Sequence, residues 1–322
     1  MNFFKSKYFY KFSRNPLSVV GLVIVTTIVI LAIFAPFITP FPEHVGPFTD
    51  FANKSKPPSS TYIFGTDKIG RDIFTRVIFG YRISLTLGIV VLAIAVPIGV
   101  TMGLCAGYVG KKTEMILMRI TDVFLAIPAL VLALSIIGLL DRPNLFYTMI
   151  AVSMAWWPWY TRLIYNITRS VKTEGYIAAA EIMGASKMHI MFREILPNCL
   201  PSLLTKITLD LGFVILVGSS LSFLGLGAQP PTPDLGTMVA KGASVLPDTW
   251  WFSLFPGFAI LIVVLGFNLV GDGLKDMFDV EYWSLEQAKL NKAKKVLQGH
   301  VVVITGSSGA IGTETYEIFK QN

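Results

Sequence analysis

Six apolar runs, each close to the roughly 20 residues a helix needs to cross a hydrocarbon layer about 30 Å thick, dominate the chain. They are Leu17 to Thr39, Ile83 to Gly110, a run beginning at Val123, a run beginning at Leu145, Ile207 to Gly227 and Trp250 to Gly271. Little else accommodates so much apolar sequence. A mean hydropathy of +0.62 with 15% charged residues agrees with a polytopic α-helical membrane protein and excludes an ordinary soluble domain. Trp156, Trp157, Trp159, Trp250 and Trp251 stand at run ends, where aromatic belts form. Pro128 reads as a tolerated kink inside the third run, and the short link after it implies a tight helical hairpin. The first run is too long for a signal-peptide core and is expected to remain as a membrane helix.

Lys5, Lys7, Lys11 and Arg14 precede the first run and place the N-terminus in the cytoplasm by the positive-inside rule; six spans return the C-terminus to the same side. The cytoplasmic connections are then Lys111 to Asp122 and Arg162 to Lys206. The long connection 40 to 82 also holds basic residues, offset by acids, and is expected outside. The net charge of +7 is scattered over short connections with no long basic tract, which argues against nucleic acid.

The second cytoplasmic connection carries "YIAAAEIMGASKMHIMFREILPN", Tyr176 to Asn198. Glu181, Lys187, His189, Arg193 and Glu194 would each be costly in hydrocarbon, about 2.5 to 3.5 kcal/mol for Lys or Arg at a helix centre, so the segment faces water or a partner. Residues 174 to 183 are rich in helix formers, Gly184 suits a left-handed cap, and Ser186 can cap a second helix. Met188, Met191, Phe192, Ile195 and Leu196 form an amphipathic stripe, and Pro197 is expected to end that helix. Ala178, Ala179 and Ala180 offer a surface short enough for another backbone to approach, and Glu181 reads as a solvated charge on the outer face.

This pattern resembles the cytoplasmic signature of ABC importer permeases: Glu-Ala-Ala, three residues, Gly, nine residues, Ile-x-Leu-Pro. Ala179 and Ala180 take the Ala positions, Gly184 the Gly, and Ile195, Leu196 and Pro197 the end; Ala178 stands where the family has Glu. "FGTDKIGRDIFTRVIFGYRISL" and "LSFLGLGAQPPTPDLGTMV", with "FPGFAILIVVLGFNLVGDGLKDMFD", are similar to the second permease subunit of dipeptide and oligopeptide importers. The resemblance implies one N-terminal helix plus a five-helix type I permease core. It divides the chain into residues 1–82 (arm, first helix, external loop), 83–279 (core, with the ATPase-coupling segment 174–198, including Ala185 and Ser186) and 280–322 (cytoplasmic extension). It also implies a homologous second permease, two cytoplasmic ATPases holding ATP and Mg, an external substrate-binding protein, surrounding membrane lipid, and a prokaryotic inner membrane.

No Gly-x-x-x-x-Gly-Lys-Ser/Thr loop occurs, so the chain shows no usual ATP site and no cofactor of its own is expected. His44, His189 and His300 are scattered, and no metalloprotease or serine-hydrolase motif appears. Cys105 and Cys199 read as packing residues. Lys206 and Asp210 are spaced for a pair near the cytoplasmic end of the fifth span, as Arg119 and Asp122 are at the interface. The tail motif "VVVITGSSGAIGTETYEIF", with Thr305, Gly306, Gly309 and Gly312, resembles the opening of short-chain dehydrogenases without the later acidic ribose ligand. Alternatives are a nickel or metal-chelate importer permease and, of another class, a membrane scaffold or channel.

Overall fold

The computed structural model describes residues 12–13, 15–140 and 144–278; the N-terminal basic residues and the tail motif lie outside them. The main helices are α1 Pro16–Ile33, α2 Ile73–Val109, α3 Lys111–Leu125, α4 Ala129–Gly138, α5 Leu145–Val171, α6 Gly175–Ile182, α7 Lys187–Phe223, α8 Leu235–Ala243 and α9 Trp251–Phe278. Their starts follow from side chains that satisfy free N–H groups. Asn15 Oδ1 accepts from Leu17 N–H (3.1 Å), Asp72 Oδ2 from Thr75 N–H (2.7 Å), Asn144 Oδ1 from Tyr147 N–H (2.9 Å), and Asp234 Oδ1 from Thr237 N–H (2.9 Å).

Four helices, α1, α2, α7 and α9, are long and apolar enough to cross a membrane, and α3 with α4 makes a fifth if the bent pair is one span. The fourth run, beginning at Leu145, forms no such helix by that measure: α5 has 27 residues, but Trp, Tyr, Asn and Arg lower its hydropathy. Two expectations about helix continuity are corrected. Pro128 does not kink a helix; α3 and α4 meet at 85°, because proline forces the residue before it out of the helical region and offers no N–H to the preceding turn. Pro197 does not end one either. A π turn over Ile190–Ile195 widens the backbone just before it, and the helix runs on to Phe223.

Packing sorts the helix ends into two groups. α1 and α9 are antiparallel: Asn15 Nδ2 donates to Asp276 Oδ2 (3.2 Å), Ser18 abuts Gly273, and Ile24 abuts Gly266. α9 is antiparallel to α7, with Gly271 against Leu209. The start of α1, the end of α9, the start of α7 and the end of α2 therefore share one end of the bundle. Thr148 at the start of α5 contacts Leu226 beyond the end of α7, so α5 begins at the opposite end. α2 and α5 share the most extensive helix contact, along Ala95, Gly99, Gly103 and Gly107 of α2. A Cβ on Gly99 would lie 2.4 Å from Tyr160 Cβ and 2.6 Å from the Trp157 carbonyl oxygen. This small-residue stripe at every fourth position lets two backbones touch where hydrocarbon supplies no hydrophobic drive.

The connection 40–72 folds into a cap at that opposite end. Buried Asp67 accepts from the Arg71 N–H (2.9 Å) and Nε (2.7 Å), and buried Arg76 donates to the His44 carbonyl (3.0 Å) and the Pro231 carbonyl (3.2 Å). His44 Nδ1 accepts from the Asp72 N–H (2.8 Å), and burial pushes its pKa below the ordinary histidine value despite Glu43, Asp72, Asp67 and Asp50 nearby.

Candidate coupling segment

α6 ends in a left-handed turn. Gly184 has φ +83°, its N–H bonds the Glu181 carbonyl (3.0 Å), and the Ala185 N–H bonds the Ala180 carbonyl (3.0 Å), the paired bonds of a Schellman cap. Ser186 Oγ then accepts from the His189 N–H (3.2 Å) and starts α7. The two helices leave the turn without an intervening flexible stretch.

Ala180 and Ile177 face the core, while Ala178 and Ala179 are exposed; Ile195 is fully buried, Leu196 half-buried and Pro197 exposed. The stripe expected from a 3.6-residue period is shifted. Met188 and Phe192 lie outside, and Ile190, Met191, Ile195 and Cys199 point in, because the π turn changes the register between residues 190 and 195. Around Gly184 the surface is apolar and uncovered: Ile182 is 87% exposed, Met183 81% and Met188 62%. An exposed apolar patch of this kind suits a contact with a protein or a membrane.

Glu181 is exposed, as expected, but its carboxylate also has a partner in the chain. Its Oε1 accepts from the Tyr108 Oη (2.8 Å) at the end of α2, and Lys172 Nζ donates to the Tyr108 carbonyl (2.6 Å) while lying 5.3 Å from the Tyr108 ring centroid. These bonds tie α6 to α2 and α5. Sequence reasoning missed Tyr108 and Lys172, and nothing in their local pattern signals them; the glycine spacing 99, 103, 107 was available and went unused.

Three further acids have partners on neighbouring turns or helices. Asp122 bonds Arg162 of α5 rather than Arg119, its own neighbour, and Glu114 bonds Tyr165. Lys206 Nζ does donate to Asp210 Oδ1 (2.7 Å), about midway along α7, which also includes the coupling segment from Lys187. Cys199 is buried and Cys105 partly so.

The fold is a bundle of membrane-length helices with a rigid apolar turn projecting at one end. In fold it matches an inward-facing structure of the MetNI methionine ABC transporter, with a TM-score of 0.51 at 22% identity, covering 64% of this chain and 97% of that one. The chain is a permease subunit of type I ABC importer architecture. It belongs to the family described as binding-protein-dependent transport system inner membrane component, matched over residues 95–282, with the N-terminal TM domain of oligopeptide transport permease C matched over 6–58. It is 41% identical over 273 residues to the dipeptide transport system permease protein DppC of Alkalihalophilus pseudofirmus, covering 84% of this chain and 88% of that protein. It is also 39% identical to a probable D,D-dipeptide transport system permease, DdpC, of Escherichia coli (85% and 91% covered), and 36% identical to the oligopeptide permease OppC of Bacillus subtilis (84% and 87%).

Proposed function

We propose that this chain moves di- and oligopeptides across the cytoplasmic membrane, paired with a homologous permease, two cytoplasmic ATPases and an external substrate-binding protein. In this reading ATP and Mg are assigned to the ATPases. The observation that carries the reading is the uncovered apolar turn at Gly184, rigidly joined to α2, α5 and α7, which suits a docking lever for an ATPase. The peptide assignment over a nickel chelate rests on the relatives' names, and that over a scaffold or channel on the lever. Nucleotide-driven closure of the ATPases would bias the bundle between outward-facing and inward-facing states. The test is uptake of a labelled dipeptide by the reconstituted complex: it is expected with active ATPases and absent when their catalytic residues are disabled, and uptake that persists sinks the reading.

The antiparallel contacts support six crossings with α5 as one; with the basic N-terminal arm cytoplasmic, both termini lie inside and the cap outside. Single cysteines at Ser186 and Thr232, in a background lacking Cys105 and Cys199, are expected to react with impermeant reagent from opposite sides. Labelling from the same side would remove the six-crossing topology.

The Tyr108–Glu181 bond belongs to the lever's anchorage. A hydrogen bond of this kind contributes about 1 kcal/mol, so Tyr108→Phe and Glu181→Ala are each expected to lower peptide uptake per ATP hydrolysed by a few-fold, whereas Glu181→Gln, which can still accept, stays near parent. Equal ratios in all three variants would show that the bond does not position the turn.

A further inference from the structure

Charged and polar side chains extend from mid-depth to the coupling end on one face of the subunit. On α5, Trp159, Arg162 and Asn166 recur at three and four residues and share a helix face. Trp159 is 48% exposed, and Lys206 Nζ of α7 lies 5.9 Å from its ring centroid. Arg162, with its Asp122 partner, is about half exposed. Below Trp159 the stripe opens into a cavity of about 370 Å³ lined by Lys111, Glu114, Arg119, Asp122, Arg162 and Asn166.

Charged groups on membrane helices face a protein partner or water, because lipid exposure is costly. Lys206 is held in place by Asp210, which is 3% exposed on its side chain, yet the ammonium stays one-third exposed and keeps donors free. Behind it, the Tyr160 hydroxyl is buried beside the Asp210 carboxylate, so the acid that holds Lys206 is itself fixed against α5. A face holding both signs of charge, each with one partner in this chain and still one-third to one-half exposed, fits a ligand that itself carries both signs. A dry subunit contact would have to strip the water that Arg162 and Asp122, about half exposed, and Lys206, one-third exposed, still hold.

Building on the peptide reading above, we propose that the face bearing Trp159, Lys206, Arg162 and Asn166 lines the inner half of the translocation path, with Lys206 and Arg162 receiving the carboxylate of a passing zwitterionic peptide. Asp122 and Glu114 stand further along to meet its ammonium group. Trp159 supplies an apolar wall for a side chain.

The test uses the full complex in proteoliposomes, lacking Cys105 and Cys199 and carrying Trp159→Cys or Asn166→Cys, with an anionic impermeant methanethiosulfonate as probe. Both thiols are expected to react, at least threefold more slowly during turnover with saturating dipeptide, while Leu22→Cys on the exposed side of α1 stays unreactive. In a second arm Lys206→Met combined with Asp210→Asn, which removes both charges together, is expected to cut dipeptide uptake at least tenfold, with Lys206→Arg within threefold of parent. Thiols at 159 and 166 as inert as at Leu22 in every nucleotide state mean a dry subunit interface and overturn the proposal, as does undiminished uptake in the assembled double variant. The labelling arm leaves Lys206 intact, so it decides alone if the double variant fails to assemble. Dipeptide uptake by the parent complex is measured alongside: its absence would strike the peptide assignment, and the labelling would still judge the path.

Discussion

Gly184→Trp is expected to abolish peptide uptake and binding-protein-stimulated ATP hydrolysis together, by tenfold or more, while the protein inserts at normal levels. Gly184 sits at φ +83°, where any side chain pays roughly 1 to 2 kcal/mol. That strain is local and modest beside the stability of a bundle this size. A Cβ there meets nothing within 4 Å, so the indole clashes with no atom of this chain and projects into the space beside Ile182, Met183 and Met188. Whatever docks on that apolar turn is then held off. Gly184→Ala carries the strain without the bulk and should keep at least a third of the parent rate. The measurement is ATP hydrolysis by the reconstituted complex with and without loaded binding protein, alongside uptake. A Trp variant that assembles and transports near the parent level would reduce the turn to an ordinary connection.

The turn was legible because its signals are local. A left-handed cap demands a glycine, a helix start demands a hydroxyl or carboxylate, and Gly184 and Ser186 stand where those demands fall. The apolar runs were legible for the same reason, since hydrocarbon thickness acts on consecutive residues. What escaped depends on two segments at once. Lys172 and Glu181 converge on Tyr108 only after α2, α5 and α6 have packed, and Asp122 prefers Arg162 to the nearer Arg119 because α3 lies along α5. Proline was misjudged in both directions. At residue 128 it breaks the backbone by 85°, whereas at residue 197 a single π turn absorbs it, and sequence spacing does not show which remedy the neighbouring helices allow.

That π turn has a consequence for the lever. It rotates Ile190, Met191, Ile195 and Cys199 into the core and leaves Met188 and Phe192 outside, so the base of α7 is anchored on one side and apolar on the other. With Pro197 passed over, the helix leaving the turn is continuous to the far end of the bundle at Phe223. If the turn is the proposed lever, a push on Gly184 would meet a continuous 37-residue helix that carries Lys206 and Asp210 midway.

The second large effect is on stability. Gly99→Leu is expected to prevent accumulation of the folded subunit, and Gly99→Ala to lower the melting temperature of the solubilised complex by roughly 5 to 10 °C. A Cβ at residue 99 would sit 2.4 Å from Tyr160 Cβ and 2.6 Å from the Trp157 oxygen, and one at Gly103 would sit 2.7 Å from the Thr161 oxygen. These neighbours are backbone or the root of a side chain, so rotation relieves nothing and the helices must separate. Overpacking of this kind costs about 1 to 3 kcal/mol or more, and each kcal/mol shifts melting by about 2 to 4 °C in a protein of 150 to 250 residues. Separation also withdraws α5 from α2 along the contact that holds Tyr160 beside Asp210 and Lys172 beside Tyr108. Gly257→Ala in α9, where a Cβ meets nothing within 4 Å, is the control and should be neutral or slightly stabilising, since glycine is the poorer helix former. Fluorescence-detected size exclusion and thermal melts of the three variants decide the matter. If Gly99→Leu accumulates and melts like the Gly257→Ala control, the α2–α5 crossing does not set the stability of the bundle.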